Sequence, residues 1–543
     1  MALTRWPRLD GLQLTALFIA FLVLAPLGVI LSSAFSPTDL VWRHLVDTLL
    51  GELVLNTLWL VLGVGLGTTL LGVSLAWLTA ACDFPGRKVL DWALMLPLAI
   101  PAYVTAFVSI GLLDFTGPIQ TLLRAWLGEE HVWFPKIRST GGVILIMTLA
   151  FYPYVYLLAR NAFLTQGRRA MEAAQSLGHS QWSGFFRVSL PMAQPWIAGG
   201  LMLVLMETLA DFGAVSIFNY DTFTTAIYKA WFGMFSLLAA AQLSSLLMLM
   251  VFVLLLLEQQ LRFRMRYVQV GKSSLQTDRV VLRGMRGRLA FAYCIMVVSL
   301  GFLIPFVQLL VWATQAFDQD FDSRYLGFLS HSLLLGSVAA LLTTVCAMIL
   351  VYANRQHPHL WTRILVKIAT LGYAVPGSVL AVGVFILLAW LDNMIMAGAK
   401  AWLNLDTGLL LTGTLATMLL GYLVRFLAVA YNPVDSAIQR ITPSVDEAAR
   451  SLGSSGLGLL RRVHLPILRG GLLSAAMLVF VDVMKEMPMT LMTRPFGWDT
   501  LSIRIFEMTS EGEWERAALP AVALVFAGLI PMMVLTKQAG RTD

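Results

Sequence analysis

The sequence predicts an all-α polytopic membrane protein of about 12 transmembrane helices, arranged as two parallel-repeat halves of six. Three observations carry that prediction. Of 543 residues, 58% are hydrophobic and only 13% charged, against about 25% charged in ordinary soluble domains. The apolar residues fall in runs of about 20, the length a helix needs to cross hydrocarbon while satisfying its own backbone groups. A polar segment also recurs 275 residues on: Glu172 to Pro191 and Glu447 to Pro466 share 11 of 20 residues without a gap.

The elements follow in order. The run near 12–34 could imitate a signal peptide, but it is about 20 residues long with no clear small-x-small cleavage site, so it reads as a retained span. Uninterrupted runs predict spans near 53–81 and 141–163. Between them, a span near 92–114 holds Pro97 and Pro101, each of which removes a helical hydrogen bond and predicts a kink. A span near 196–215 carries Glu207 and Asp211, and one near 235–257 closes the first half. Arg262 to Arg288 contains eight dispersed Lys and Arg residues and reads as a cytoplasmic linker. The second half repeats the plan near 289–313, 331–353, 367–391 (with Pro376), 407–431 (with Arg425), 470–493 (with Asp482, Lys485 and Glu486) and 517–536.

This divides the chain into a first domain, 1–257, a linker, 258–288, and a second domain, 289–543. At the same offset Leu55-Asn56-Thr57 falls on Ser330-His331-Ser332, Pro101 on Pro376, and Glu207 and Asp211 on Asp482 and Glu486. An even number of spans per half makes both copies enter the membrane from one side. The halves are then expected to face each other across a pseudo-two-fold axis along the membrane normal, with the substrate path between them.

The net charge of +7 invites a nucleic-acid partner, but the distribution argues otherwise. With both termini placed in the cytoplasm, most of the Lys and Arg residues fall in cytoplasmic segments, as the positive-inside rule requires, so no nucleic acid is expected and lipid is the surrounding partner. Cys82, Cys294 and Cys346 lack metal-ligand spacing and form no disulfide framework. His357 and His359 sit two apart in a loop, and nothing in the sequence defines a metal site.

The repeated segment has a chemistry of its own. Glu172-Ala173-Ala174 and Glu447-Ala448-Ala449 begin short helices that Gly178 and Gly453 can end in a left-handed conformation. A second short helix would run on to Pro191 and Pro466, where the next span begins. Small Ala faces allow a partner close approach, and the two glutamates offer it a charge. At these residues the chain resembles the membrane permeases of bacterial ABC importers, whose hallmark is E-A-A, then Gly, then hydrophobic-Leu-Pro at this spacing. The resemblance implies a type I ABC importer permease fold with two coupling segments, 172–191 and 447–466. It also implies two copies of an ATPase subunit seated on them, a substrate-binding protein on the outer side, and a bacterial inner-membrane location.

No ATP site is visible in this chain. Gly271-Lys272-Ser273 has Arg266 where a phosphate-binding loop requires Gly, so ATP and magnesium are expected on the partner, with no cofactor held here and no enzyme active site. Within the fused permeases, Glu207 to Val215 with Tyr220-Asp221-Thr222-Phe223-Thr224-Thr225 resembles the ferric-iron branch. So does Lys485-Glu486-Met487-Pro488 followed by Arg494 to Leu501. Thiamine, phosphonate and polyamine permeases are neighbouring alternatives. An ion-coupled secondary transporter is the rival from another class, although it has no use for paired coupling motifs.

Intramembrane acids are costly in lipid and mark function. Glu207, Asp211, Asp482 and Glu486 are accordingly expected either to line the translocation path or to pair with Lys485 and Arg425 as structural ties.

Overall fold

The structure, a computed structural model, describes residues 10–37, 39–128, 133–165, 180–264, 279–454 and 457–539. Within them the apolar runs form twelve long helices. The first half contributes α1 (Gly11–Ser33), α2 (Leu50–Ala81), α3 (Ala102–Leu113), α4 (Thr140–Thr165), α5 (Leu190–Ala210) and α6 (Leu237–Arg264). The second contributes α7 (Met285–Val298, continued by Ile304–Asp320), α8 (Ser323–Gln356), α9 (Gly377–Leu403), α10 (Leu415–Ile438), α11 (Leu465–Lys485) and α12 (Trp514–Ala539). Among the described residues eleven helices are long and apolar enough to cross a membrane, α3 together with the following Pro118–Leu127 helix counting as one. α12 stands where the twelfth span is expected.

The duplication is kept to the residue where it matters. α3 and α9 start at Ala102 and Gly377, α4 and α10 at Thr140 and Leu415, α5 and α11 at Leu190 and Leu465, each pair 275 apart. Close approach between α2 and α4 relies on small residues, the usual means of packing helices in lipid. A Cβ on Gly72 would lie 2.8 Å from Val155 and 3.0 Å from the backbone nitrogen of Tyr156.

Three local expectations need correction. The spans near 92–114 and 367–391 are not kinked helices but two-piece segments. Short 3-10 turns, Leu96–Ala99 and Leu371–Ala374, precede Pro101 and Pro376, which take extended backbone (φ −58°, ψ 144° and φ −56°, ψ 145°) and head fresh helices. Proline lacks the N–H that would carry a helix through, and it suits a helix start. Next, no separate short helix ends at Pro191 or Pro466. The π turns Phe185–Ser189 and Leu460–His464 run straight into α5 and α11, and the wider turn absorbs the proline without breaking the helix. Finally, the spans expected at 196–215 and 470–493 stop at Ala210 and Lys485, because Asp211 and Glu486 turn extended (ψ 130° and 117°).

Packing does not follow the order of the chain. One hydrophobic core joins α2, α3 and α4, through residues such as Val64, Phe107 and Tyr152, to Cys294 and Leu309 of α7 and Leu524 of α12. The other joins Val23 and Ile30 of α1 and Leu247 of α6 to Leu335, Val379, Tyr422 and Val479 of α8 to α11. The first helix of each sequence half thus packs on the helices of the other. The segment after α6 is anchored too: β2 (Val280–Val281) pairs in parallel with β1 (Cys82–Asp83), and Arg279 Nε donates to the carbonyl of Ala80 at 3.2 Å.

Candidate functional site

The four intramembrane acids meet at one cavity of about 540 Å³ between the halves. The 3-10 turn and start of α3, the ends of α5 and α11, Tyr154 of α4, Tyr373, and Arg425 of α10 all line it. Glu207 lies 17 residues into α5, which places it about 26 Å along that helix. The backbone breaks described above therefore create this space: helices interrupted at Pro101, Pro376, Asp211 and Glu486 leave a polar chamber where continuous helices would close it.

Within the chamber the acids divide into two pairs. Asp211 Oδ1 accepts the backbone N–H of Val215 at 3.1 Å, and Glu486 Oε1 accepts that of Met489 at 3.1 Å. Each carboxylate thereby caps the short helix that follows, Gly213–Ile217 or Pro488–Thr493. Glu486 is 6% exposed and pairs with Arg425, Nε to Oε2, at 3.2 Å, although Arg425 Nη1 finds no hydrogen-bond partner among the described residues. Among the described residues the other pair bonds no backbone N–H. Glu207 Oε1 accepts the hydroxyl of Tyr373 at 3.1 Å, and Asp482 sits one turn before Lys485 on α11. Lys485 Nζ donates to the carbonyl of Leu98 at 2.9 Å. Sequence reasoning had singled out all four acids but had no means of sorting them. It missed the three tyrosines, Tyr103, Tyr154 and Tyr373, whose only signal is their position near the ends of interrupted spans.

Gly377 is a steric requirement of the Arg425–Glu486 pair, since a Cβ there would collide with both the carboxylate and the guanidinium. Breaking a buried pair costs about 3–5 kcal/mol. Gly377→Ala is therefore expected to lower the unfolding temperature of the purified protein in a detergent thermal scan. Gly398→Ala on the same helix, where the new methyl meets open space, should not lower it.

The residues that carried the narrower resemblance prove to organise the loop that follows each acid-bearing helix. Asn56 Nδ2 donates to the carbonyl of Asp221 at 3.1 Å, and His331, its counterpart at the 275 offset, lies 3.1 Å from the carbonyl of Asp499 through Nδ1. Asp221 pairs with Lys229, and Asp499 with Arg494.

Of the repeated motif, Glu172, Ala173, Ala174 and Gly178 lie outside the described residues, and Pro191 is the second residue of α5. The second copy is described except for Ser455 and Gly456. Pro443–Ser451 forms a helix with Thr442 at its N-cap, Glu447 and Ala448 exposed and Ala449 buried. Gly453 follows in the left-handed region at φ +81°, its N–H donating to the carbonyl of Arg450 at 2.9 Å. Pro466 is the second residue of α11.

This helix is tied to the spans through Asp446. Arg355, at the end of α8, donates to Asp446 Oδ2 at 2.8 Å and to the carbonyls of Ile438 and Ile441 at 3.1 Å. His464, fully buried, meets Asp446 Oδ1 through Nε2 at 2.8 Å. Burial pushes the Asp446 carboxyl up, but the hydrogen bonds from His464 and Arg355 outweigh it and hold the group below the usual carboxylate range.

Comparison with known proteins fits this geometry. The family model for inner membrane components of binding-protein-dependent transport systems matches residues 68–267. The chain is 28% identical to the Fe(3+)-transport system permease protein FbpB 2 of Haemophilus influenzae over 90% of both chains. It is 24% identical to the ferric transport system permease protein FbpB of Actinobacillus pleuropneumoniae, over 86% of this chain and 69% of that one. The sulfate transport system permease protein CysW of Escherichia coli is 30% identical over 39% of this chain and 71% of its own length. With the membrane helices, the repeated motif and these likenesses together, the chain belongs to the inner membrane components of binding-protein-dependent transport systems.

Proposed function

We propose that this protein is the membrane channel of an ATP-driven bacterial importer for ferric iron, passed from a binding protein on the outer face through the acid-lined cavity. The observation that carries the reading is the similarity to ferric permeases along nine-tenths of the chain, joined to a central cavity with four carboxylates and two cationic side chains. An excess of fixed negative charge favours a cation over the sulfate or molybdenum named for other relatives. The same charge disfavours the anionic phosphonates, whereas thiamine and polyamines, themselves cations, are second choices because of the likeness to ferric permeases. Family membership in turn leaves no place for an ion-coupled secondary mechanism.

ATP and magnesium belong on two ATPase subunits, one docked at each coupling segment. Glu172, Ala173, Ala174, Gly178 and Pro191 form one seat, and Glu447, Ala448, Ala449, Gly453 and Pro466 the other. The chain sits in the inner membrane with both termini in the cytoplasm, and its sequence halves, 1–257 and 289–543 with the linker 258–288, act as the two permease domains. Glu207, Asp211, Asp482 and Glu486 mark the translocation path.

The decisive experiment reconstitutes the permease with its ATPase and candidate binding proteins in vesicles. ATP-dependent entry of radiolabelled iron from the loaded binding protein is the expected result; entry of a different cargo, or entry without ATP, would overturn it.

One substitution tests the coupling segment alone. Gly453 has open space around it, so only its backbone conformation resists a side chain. A left-handed non-glycine residue costs about 1–2 kcal/mol, less for Asn. Gly453→Val is expected to lower uptake more than Gly453→Asn, measured in the same vesicles.

A further inference from the structure

We infer that Lys485 is a resident counter-cation that locks the two halves together at the cavity until an arriving metal cation takes its place. This inference rests on the cation-import reading above. It begins with an orphaned carbonyl. In a 3-10 turn the Leu98 carbonyl would accept from the N–H three residues on, but that residue is Pro101, which has none. Lys485, 387 residues away in the opposite half, supplies the missing donor at 2.9 Å.

The equivalent turn of the second half does the same in reverse. Tyr373, at the 275 offset from Leu98, reaches across to Glu207 of α5 at 3.1 Å. Each 3-10 turn is thus bonded to a charged residue of the other half.

The charges show why this tie is tuned to cargo. Arg425 pairs with Glu486, and its charge also reaches Glu207 and Asp482. Lys485 is the cation on a flexible stem that faces both Asp482 and Glu207. Neither cation belongs to the duplicated plan, since the matching first-half positions are Ala210 and Ala150, which also line the cavity. A second observation points to a polar visitor. Tyr103, 5% exposed, lines the cavity with a hydroxyl that has no hydrogen-bond partner among the described residues, and Tyr154 faces Glu207 and Asp482.

A multivalent cation settling between Glu207 and Asp482 attracts them in proportion to its charge and repels the ammonium, which can withdraw on its flexible stem. Its departure frees the Leu98 carbonyl and unties the halves. An anionic or neutral cargo has no such leverage, so the lock selects for cations.

The test uses the complete complex in vesicles and compares ATP hydrolysis with unloaded and with iron-loaded binding protein, alongside iron transported per ATP. Lys485→Met is expected to raise hydrolysis with the unloaded binding protein roughly fivefold or more, the low end of ordinary coupling between sites, and to lower iron transported per ATP. Lys485→Arg should keep the wild-type behaviour.

Gly528→Ala supplies a variant that retains the lysine. Its Cβ would sit 3.3 Å from Lys485 Nζ and 3.1 Å from the Ala99 carbonyl, so it should shift the unloaded rate in the same direction by less. Should Lys485→Met fail to assemble with the ATPase, Gly528→Ala decides the matter. Unloaded hydrolysis at the wild-type rate in whichever variant assembles overturns the lock. Failure of the importer reading shows separately, as wild-type vesicles that admit no iron from the loaded binding protein.

Discussion

Replacing Glu207 by Gln and Asp482 by Asn together is expected to cut iron uptake by about tenfold or more while stimulation of ATP hydrolysis by the binding protein survives. Two unit charges about 4 Å apart interact by about 4 kcal/mol at an effective dielectric constant of 20, and a trivalent ion feels more, so losing two carboxylates removes far more attraction than a tenfold change in rate requires. Neither side chain caps a helix, and the Tyr373 hydroxyl can still bond an amide oxygen at position 207. Lys485 keeps the Leu98 carbonyl when it loses those two counter-charges, so uptake is read beside a thermal scan that confirms the variant is folded. The companion pair must behave differently. Asp211→Asn and Glu486→Gln weaken helix caps, and the second also strands Arg425 without its counter-charge. Their expected result is a lower unfolding temperature and reduced yield. Uptake at the wild-type rate in the well-folded Glu207–Asp482 double variant would remove those residues from the path.

The second large effect is expected at the coupling segments. Replacing Glu172 and Glu447 by Ala in one chain should abolish ATP-driven uptake, although the protein still inserts and binds lipid normally. Glu447 is exposed on the Pro443–Ser451 helix and makes no ion pair among the described residues, so its charge is available to a partner. A hydrogen bond to a charged group contributes about 1.5–3 kcal/mol. One loss should weaken docking of the ATPase and two should defeat it. The measurement is co-purification of the ATPase with each variant, read beside uptake; a double variant that retains both would show that the glutamates are not the contact.

Tethering through Asp446 gives this segment its stiffness. Arg355 joins the motif helix to the end of α8, and His464 joins it to the start of α11, so a push on the helix reaches two spans at once. No counterpart of this cluster exists in the first half at the 275 offset, where Ala80, Met171 and Ser189 stand.

Local chemistry alone determined much of this protein. Runs of about 20 apolar residues can satisfy their backbone in lipid only as helices, so the spans were legible one by one, and the 275-residue offset placed Pro101 on Pro376 and each acid on its partner before any contact was known. A left-handed Gly453 after a helix begun at Pro443 was equally readable, because capping depends on neighbours in the chain. What hydropathy could not supply was anything set by distance across the fold. The prolines looked like kinks within spans, yet Pro101 and Pro376 follow 3-10 turns, and the carbonyl left unpaired before Pro101 meets a lysine 387 residues away. The four acids looked alike, and only their partners divide them: a backbone N–H for Asp211 and Glu486, a phenol and an ammonium for Glu207 and Asp482. Even the exchange of α1 and α7 between halves leaves no mark on composition, since an apolar helix face fits either neighbour and tertiary packing alone chooses.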